Sequence, residues 1–243
     1  MHLVNILNVT KSYNGKVNAV NKLNLNIEDG KILGLLGPNG AGKTTTIKMI
    51  TGIIQPTMGD IEINGTSITK EPVKAKEQFG YVPDSPDMFL RFTGIEYLNF
   101  MADVYNVDSS IRKSKIEELA KRFEMTTALA DKIQSYSHGM RQKIVVMGVI
   151  LHNPKVWILD EPLTGLDPKS AFTLKEMMRE HADAGNTVIF STHVLEVAEK
   201  VCDEVAIINK GQLIFNGTLE DMRKEFKSNE SLEEMFLEMT ENV

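Results

Sequence analysis

A short glycine-rich stretch, GPNGAGKT at Gly37–Thr44, constrains the fold more than any other part of the sequence. It follows the apolar run KILGLL and precedes KTTTIKMITGII, in which isoleucines recur about one helical turn apart. A strand, a turn of the form G-x-x-x-x-G-K-[ST] and a helix together make a phosphate-binding P-loop. Glycines let successive backbone N–H groups wrap around phosphates, and the helix N-terminus adds a favourable dipole. The stretch therefore predicts a site for nucleotide phosphates.

The side chains of this loop have separate predicted roles. We expect Lys43 to neutralise the β- and γ-phosphates, and the Thr44 hydroxyl to hold Mg²⁺. The other loop residues predicted to contact the nucleotide are Gly37, Pro38, Asn39, Gly40, Ala41, Gly42 and Thr45.

Two adjacent carboxylates follow an apolar strand pattern in VWILDEP (Val156–Pro162). Open α/β sheets place their ligands at the carboxyl ends of strands, so Asp160 is predicted to reach the Mg²⁺ shell. Glu161 would point in another direction, where it could act as general base on the attacking water. A charged turn after a buried strand is the alternative interpretation, and the nearby P-loop favours the catalytic one.

Strand and helix patterns alternate along the chain, which predicts an α/β fold with a mostly parallel sheet. Leu23, Leu25 and Ile27 alternate with polar residues, KVWILD and NTVIFST are apolar runs, and EVAIINKGQLIFNG reads as a hairpin turning at Asn209–Gly211. From about 90 to 153 the strand patterns disappear and three helical patterns follow one another. This block is predicted to be a helical insertion into the sheet.

The composition limits the classes of protein that this chain can belong to. A formal net charge of -6 and a pI near 5.5 argue against nucleic-acid binding and against attachment to anionic lipid. The longest apolar run, Ile144–Leu151, is shorter than the roughly 18 residues of a membrane span, and the N-terminus lacks a signal-peptide pattern. A single cysteine, Cys202, excludes an internal disulfide and suits a buried position. We expect a soluble, cytoplasmic protein that meets a membrane only through a partner.

The order of these motifs resembles that of the nucleotide-binding subunit of the ATP-binding-cassette (ABC) transporter family, over nearly the whole chain. The stretch YSHGMRQK (Tyr136–Lys143) carries the resemblance, because it is similar to the signature motif that separates this family from other P-loop ATPases. Ser137 can cap the helix that follows, and Gly139 leaves room for a close backbone approach.

This stretch departs from the family pattern at three positions. Tyr136, His138 and Met140 stand where the family most often has Leu, Gly and Gln. His138 is interpreted as a surface substitution rather than a catalytic base. Ser137 and Gly139 are retained, so the contact of this stretch with the nucleotide of a second subunit, which the resemblance implies, is expected to remain.

The resemblance implies a head-to-tail dimer that holds two ATP molecules between its subunits. Ser137 and Gly139 would face the γ-phosphate bound to the other subunit, and Asp167 in LTGLD would reach across toward the opposing P-loop. His193 in VIFSTH resembles the histidine that contacts the γ-phosphate, and Tyr13 in KSYNGK resembles the aromatic residue that stacks on adenine. A structural histidine and an ordinary edge tyrosine are the alternatives.

The stretch FGYVPDSPDMF (Phe79–Phe89) lies where the family has a loop that normally carries a glutamine near the metal and the attacking water. The matching residue here is Asp84, which is shorter and adds a negative charge, so a water-bridged Mg²⁺ contact is expected. Asp87 is interpreted as a turn residue. Pro83 and Pro86 exclude a helix interior or a central strand.

The resemblance implies the ABC ATPase fold: a P-loop core with a mostly parallel sheet, an antiparallel β subdomain and an inserted helical subdomain. The ATPase domain would cover 1–220, with its core at about 1–89 and 154–220 and the insertion at about 90–153. The remainder, 221–243, would be a short helical tail, and its end, SLEEMFLEMTENV, has the pattern of an acidic amphipathic helix.

The implied function is ATP hydrolysis that drives a substrate through a separate membrane permease, with the ATPase held at the inner face of the membrane. A second ATPase subunit, identical or closely related, would complete the dimer. The short tail resembles that of bacterial exporter ATPases, which favours export. A soluble relative acting on ribosomes or DNA and a non-hydrolysing regulator are the alternatives, and retention of Lys43, Asp160, Glu161 and His193 argues against the second.

Overall fold

The computed structural model describes residues 2–226 and 232–241. Two β-sheets with helices packed around them make up this part of the chain. The predicted α/β class with a mostly parallel sheet and a separate antiparallel sheet is confirmed.

The larger sheet has the strand order β10-β9-β3-β8-β7-β6. Its neighbouring strands run parallel except for the hairpin of β9 and β10. β3, β7 and β8 are buried along their whole length, because helices cover one face and α1 (Lys43–Ile50) with the smaller sheet covers the other, and this accounts for their continuous apolar sequences. The strands are β3 (Ile32–Leu36), β6 (Phe79–Val82), β7 (Val156–Asp160), β8 (Thr187–Ser191), β9 (Glu204–Asn209) and β10 (Gln212–Gly217).

The smaller sheet is antiparallel, with the order β2-β1-β4-β5. Leu23, Leu25 and Ile27 point into its core and their polar neighbours point outward, as the alternating pattern predicts. Asn64 and Gly65 turn the chain after β4 with positive φ values of 48° and 74°, the conformation of a tight hairpin turn. The strands are β1 (His2–Ser12), β2 (Asn18–Glu28), β4 (Met58–Ile63) and β5 (Thr66–Ser67).

Three long helices lie in the block predicted to be a helical insertion. Ile144, Met147 and Leu151 on the last of them are buried in one hydrophobic cluster, and Met140 packs against it. No helix of the described ranges is both long and apolar enough to cross a membrane. The helices are α1 (Lys43–Ile50), α2 (Pro72–Lys76), α3 (Gly94–Val104), α4 (Ser109–Arg122), α5 (His138–Leu151), α6 (Pro168–Asp183), α7 (Leu195–Val201), α8 (Leu219–Phe226) and α9 (Leu232–Glu241).

The predicted amphipathic helix at the end of the chain is present as α9, while Ser231, Asn242 and Val243 lie outside the described residues. Leu232 and Met235 are buried against α7 and β9, and the glutamates on the other face are exposed. The Cys202 thiol packs beside Gly34 and is largely buried, which raises its pKa and fits the predicted structural role.

Candidate nucleotide-binding site

The P-loop and the ends of three neighbouring strands enclose a cavity of about 380 Å³. The loop from Asn39 to Thr45 forms one wall, and Asp84, Glu161 and His193 form the others. Parallel strands end at the same edge of a sheet, so β6, β7 and β8 deliver these three side chains to one place. The predicted site residues of four separate segments therefore meet around one opening.

Two glycines of the loop occupy positions that only glycine fits. Gly37 and Gly42 have φ values of 154° and 113°. A Cβ atom on Gly37 would lie 2.2 Å from the carbonyl oxygen of Ile208, and one on Gly42 would lie 2.7 Å from that of Ala19. The backbone can thus turn tightly and leave the first N–H groups of α1 without partners inside the helix. Such a helix start binds anions.

Lys43 is the buried cation of the site. Its Nζ atom donates hydrogen bonds to the carbonyl oxygens of Gly37 at 2.7 Å and Pro38 at 3.2 Å. Burial lowers the pKa of the Lys43 ammonium group, and the carboxylates of Glu161 and Asp160 oppose that shift. A phosphate oxygen placed beside Nζ would supply the compensating negative charge.

Asp160, at the end of β7, has one carboxylate oxygen in use and one free. Oδ1 accepts a hydrogen bond from the Ser191 hydroxyl at 2.6 Å, whereas the buried Oδ2 has no hydrogen-bond partner among the described residues. Burial raises the pKa of this carboxyl group, and the nearby hydroxyls of Ser191 and Thr44 act in the opposite direction. An unused carboxylate oxygen beside an exposed threonine hydroxyl is a donor set that suits a hard divalent cation.

Glu161 and His193 form a pair at the cavity wall. The imidazole Nδ1 lies 3.0 Å from the Glu161 Oε2 atom. The Glu161 side chain is 18% exposed and that of His193 is 61% exposed. Glu161 has a φ of 48°, a left-handed conformation that costs a non-glycine residue about 1–3 kcal/mol. This strained backbone turns Glu161 away from Asp160, so that two consecutive carboxylates face different parts of the site.

Ser191 holds these two carboxylate residues in place and was missed by the sequence analysis. Its hydroxyl donates to Asp160 and accepts the backbone N–H of Glu161 at 3.0 Å. The pairing of β7 with β8 sets Asp160 opposite Ser191, and the side chain of Ser191 is fully buried. Thr164 and Ala19, which also line the cavity, were missed as well. The sequence signal that could have identified Ser191 is its position at the end of a strand, two residues before His193.

Comparisons with known proteins agree with this geometry. A family model described as "ABC transporter" matches residues 20–164, more than half of the chain. The chain belongs to the ABC transporter ATP-binding family. The predicted ABC ATPase fold and the predicted class of enzyme, an ATPase, are thereby confirmed.

Relatives of this ABC ATPase match it over most of their length. The "ABC-type transporter ATP-binding protein EcsA" of Bacillus subtilis (strain 168) is 34% identical over 241 residues, 99% of this chain and 97% of that protein. The "Linearmycin resistance ATP-binding protein LnrL" of the same organism is 36% identical over 215 residues, 88% of this chain and 69% of that protein. A solved structure titled "Structure of ATP binding subunit of ABC transporter" is 32% identical and has a TM-score of 0.94. The match covers 98% of this chain and 99% of that one.

The signature stretch of the ABC ATPase lies outside the cavity of its own chain. Ser137 caps α5, with its Oγ atom accepting the Met140 N–H at 3.3 Å. Gly139 approaches the LTGLD loop so closely that a Cβ atom would lie 2.6 Å from the carbonyl oxygen of Gly165. His138 is exposed beside Gly165, in agreement with its interpretation as a surface substitution.

Tyr136, one of the departures from the family pattern, has a structural explanation. Its ring is buried and its hydroxyl donates to the carbonyl oxygen of Ala128. Gly94, at the start of α3, leaves the space for this hydroxyl, since a Cβ atom there would lie 2.4 Å from it. Tyr136, which is larger than the usual leucine, therefore joins the start of α5 to the start of α3 and to the turn at Ala128.

Asp167 makes its contacts within its own chain. It caps α6 by accepting the Ser170 N–H at 2.9 Å and the Ser170 hydroxyl at 2.8 Å, and Lys143 lies 2.8 Å from its Oδ2 atom. The Lys143 hydrogen bond, followed by those of Ser170, holds the pKa of this carboxyl group well below its usual range. The reach of Asp167 toward a second subunit stays a prediction.

Tyr13 and the proline loop complete the predicted set. Tyr13 is 64% exposed, outside the cavity walls, with the Lys11 ammonium 5.4 Å from its ring centre, so its adenine contact stays a prediction.

Asp84 is at the cavity and its charge contributes to raising the pKa of Asp160. Asp87, interpreted as a turn residue, lies outside the helices and strands, and its Oδ1 atom also accepts a 2.6 Å hydrogen bond from Arg141 of α5.

Proposed function

We propose that this chain is the ATP-hydrolysing subunit of an exporter, in which a separate membrane permease carries the substrate. The observation that supports this most directly is the single cavity shared by the P-loop, the Glu161–His193 pair and the unsatisfied oxygen of Asp160 next to it. These groups serve phosphate binding, water activation and metal binding, the three requirements of ATP hydrolysis.

In this proposal the P-loop binds the β- and γ-phosphates of ATP through Lys43 and the backbone N–H groups of the loop from Asn39 to Thr45. Lys43 gives up its hydrogen bonds to the carbonyl oxygens of Gly37 and Pro38 and donates to phosphate oxygens instead, which stabilises the ammonium charge that burial disfavours. Tyr13 stacks on the adenine ring. Its exposure leaves one face of the ring open to a base.

Mg²⁺ is bound by Thr44 and Asp160 and, through a water molecule, by Asp84. When bound it neutralises charge on the β- and γ-phosphates. These residues suit Mg²⁺ because the Oδ2 atom of Asp160 has no hydrogen-bond partner among the described residues and the hydroxyl of Thr44 is exposed. Ser191 fixes the other oxygen of Asp160, so the carboxylate presents Oδ2 without rotating.

Glu161 acts as the general base that takes a proton from the attacking water. His193 contacts the γ-phosphate and, through its 3.0 Å contact with Oε2, keeps the Glu161 carboxylate oriented. The left-handed backbone of Glu161 and its N–H bond to Ser191 fix the direction in which the side chain leaves the strand. Catalysis is thus mainly positioning together with charge stabilisation.

ATP joins two such subunits, identical or closely related, in a head-to-tail dimer. Ser137, Gly139 and Asp167 of one subunit approach the nucleotide held by the P-loop of the other. These residues lie outside the walls of their own cavity, at the packed junction of α5 with the LTGLD loop, which is consistent with a role toward a second site. Hydrolysis removes the γ-phosphate that holds the two subunits together, and the dimer opens.

The dimer motion is passed to a permease, which places the ATPase at the inner face of the membrane. Export is favoured because one relative is named for linearmycin resistance. The test is to isolate the membrane complex from its natural source with a tagged copy of this chain. Recovery of an integral membrane protein together with ATPase activity that Lys43→Ala abolishes is expected. An active chain recovered on ribosomes and without any membrane protein would contradict the proposal.

A further inference from the structure

The C-terminal helix α9 packs against the helix that follows His193. Leu232 and Met235 of α9 are 1% and 0% exposed and belong to one hydrophobic cluster with Ala198 of α7. α7 begins at Leu195, two residues after His193. The position of the His193 loop is therefore linked to α9 through a buried apolar contact.

A second cavity, of about 480 Å³, separates His193 from the start of α9. His193 and the first turn of α7 line one side, and Leu232 and Glu233 line the other. His193 is thus bordered by the nucleotide cavity on one side and by this cavity on the other. The packing of α7 therefore positions the His193 loop together with the contact of His193 with Glu161 and the hydrogen bond of the Thr192 N–H to Leu35.

The other end of α9 is held by Asn209, the last residue of β9. Its Nδ2 atom donates a 3.0 Å hydrogen bond to the carbonyl oxygen of Thr240, 31 residues further along the chain. The last carbonyl groups of a helix have no partner inside it, so this side chain satisfies one of them. Asn209 is only 4% exposed, which makes the bond costly to lose.

The hairpin turn that starts after Asn209 is bonded directly to the P-loop. The Gly211 N–H donates to the carbonyl oxygen of Ala41 at 2.8 Å, and the Gly211 carbonyl accepts the Asn21 N–H at the same distance. Cβ atoms on Gly211 and on Gly42 would each lie 2.7 Å from the carbonyl oxygen of Ala19. With so little free space, a shift of the turn must shift the P-loop.

We propose that α9 is a brace that positions both phosphate-contacting parts of the site, the P-loop through Asn209 and the His193 loop through Met235. Asn209 and Met235 are positioning residues: they act through Gly211 and Ala41 in one case and through α7 in the other. The inference rests on the proposed function only for the phosphate contacts of Lys43 and His193. The mechanical connection itself depends on the contacts described above.

The connection can be tested without nucleotide, by amide hydrogen exchange on the full-length chain. Asn209→Ala should speed exchange at the hydrogen-bonded amides of this connection, Gly211 and the P-loop residue Ala41, roughly two- to tenfold, the effect of losing one hydrogen bond. Asn216→Ala, an exposed asparagine on β10, is the matched control and should leave the P-loop unchanged. Equal P-loop exchange in the Asn209 variant and the wild type would overturn this half of the proposal.

The other half is tested with Met235→Ala, which should speed exchange in the 191–195 segment more than in β3. Leu237→Ala on the same helix removes a side chain that is 46% exposed and should have little effect. Because Met235→Ala leaves a cavity, Met235→Leu is included; it keeps the volume and should restore wild-type exchange. Uniformly faster exchange throughout the chain would mean general destabilisation and would overturn the proposed brace.

Kinetics provide a readout that a purely structural role would not change. Asn209→Ala should raise KM for ATP more than it lowers kcat, whereas Met235→Ala should mainly lower kcat. In a His193→Ala background, Met235→Ala should cause no further loss of kcat, since both changes act on the same group. Independent, additive losses would contradict the brace.

Failure of the brace and failure of the proposed function give different results. If Glu161→Gln hydrolyses ATP normally, the assigned chemistry is wrong, yet the exchange experiments still test the mechanical connection. If Glu161→Gln is inactive but the Asn209 and Met235 variants exchange and turn over like their controls, only the brace is wrong.

Discussion

The imidazole of His193 and the carboxylate of Glu161 meet at 3.0 Å although they lie 32 residues apart in the sequence. Each follows the end of a strand, and the two strands are neighbours in the parallel sheet. The pair borders the same cavity as Lys43. The proposed base and the group proposed to orient it thus lie beside the site predicted for the γ-phosphate.

Replacing His193 with alanine should reduce turnover much more than ATP binding. In the proposed mechanism the imidazole orients Glu161 and contacts the γ-phosphate, so kcat should fall on the order of 10²-fold or more. The dissociation constant for ATP, measured by equilibrium dialysis with Mg²⁺, should change little, since the P-loop is intact. A variant that binds ATP as weakly as Lys43→Ala would assign His193 to binding instead.

Replacing Ser191 with alanine should both destabilise the protein and disturb the positions of Asp160 and Glu161. The change leaves Asp160 Oδ1 and the Glu161 N–H without their partner in a buried position, which should cost about 1–3 kcal/mol of unfolding free energy. Urea denaturation measures this cost. Ser114→Ala, on the exposed face of α4, is the control and should stay near the wild-type value. Equal stability of both variants would show that the hydroxyl is dispensable.

Asp167 should make stability depend on pH in acid. Its pKa is lowered in the folded state, chiefly by Lys143, so its contribution is present above the ordinary aspartate pKa of about 3.9 and disappears as pH falls through the folded value. Asp167→Ala should therefore cost roughly 0.5–2 kcal/mol at neutral pH, the value of a helix cap, and progressively less below about pH 4.

Denaturation curves of the wild type and Asp167→Ala at several pH values measure this difference. Lys143→Ala should remove part of the same pH dependence, because it removes the main cause of the lowered pKa. A difference between wild type and Asp167→Ala that grows on acidification would contradict the assignment.

Asp84 should make nucleotide binding depend strongly on Mg²⁺. It adds a negative charge to a cavity that Glu161 also lines, with Asp160 buried beside it, so metal-free ATP should be repelled. Asp84→Gln should raise the affinity for ATP in EDTA several-fold and should alter the affinity for Mg²⁺-ATP less. Asp131→Asn, an exposed site with the same change of charge, is the control. Unchanged binding in EDTA would make Asp84 a structural loop residue.

The sequence predicts the local parts of this site well. The P-loop, the DEP stretch and VIFSTH each combine a strand pattern with the polar residues that follow it, and the ends of parallel strands necessarily meet. The half-buried strand around Leu25 and the helix N-cap at Ser137 are equally local features, and both are found. Such features depend on residues a few positions apart.

The missed features depend on residues that are far apart in the sequence. The Asp87–Arg141 bond joins positions 54 apart, and the Ser191–Asp160 bond joins positions 31 apart. Their pairing is set by strand register and by the packing of α5, neither of which one sequence reveals. The bond of Asn209 to Thr240 was missed for the same reason, because Asn209 reads only as a turn residue.

The central claim, that Glu161 activates the water that attacks ATP, is tested most directly by Glu161→Gln. Glutamine has nearly the same shape but cannot accept the proton, so steady-state hydrolysis should fall about 10²- to 10⁴-fold. Binding of Mg²⁺-ATP should persist, and size-exclusion chromatography with ATP should show a trapped dimer. Hydrolysis close to the wild-type rate in this variant would contradict the account.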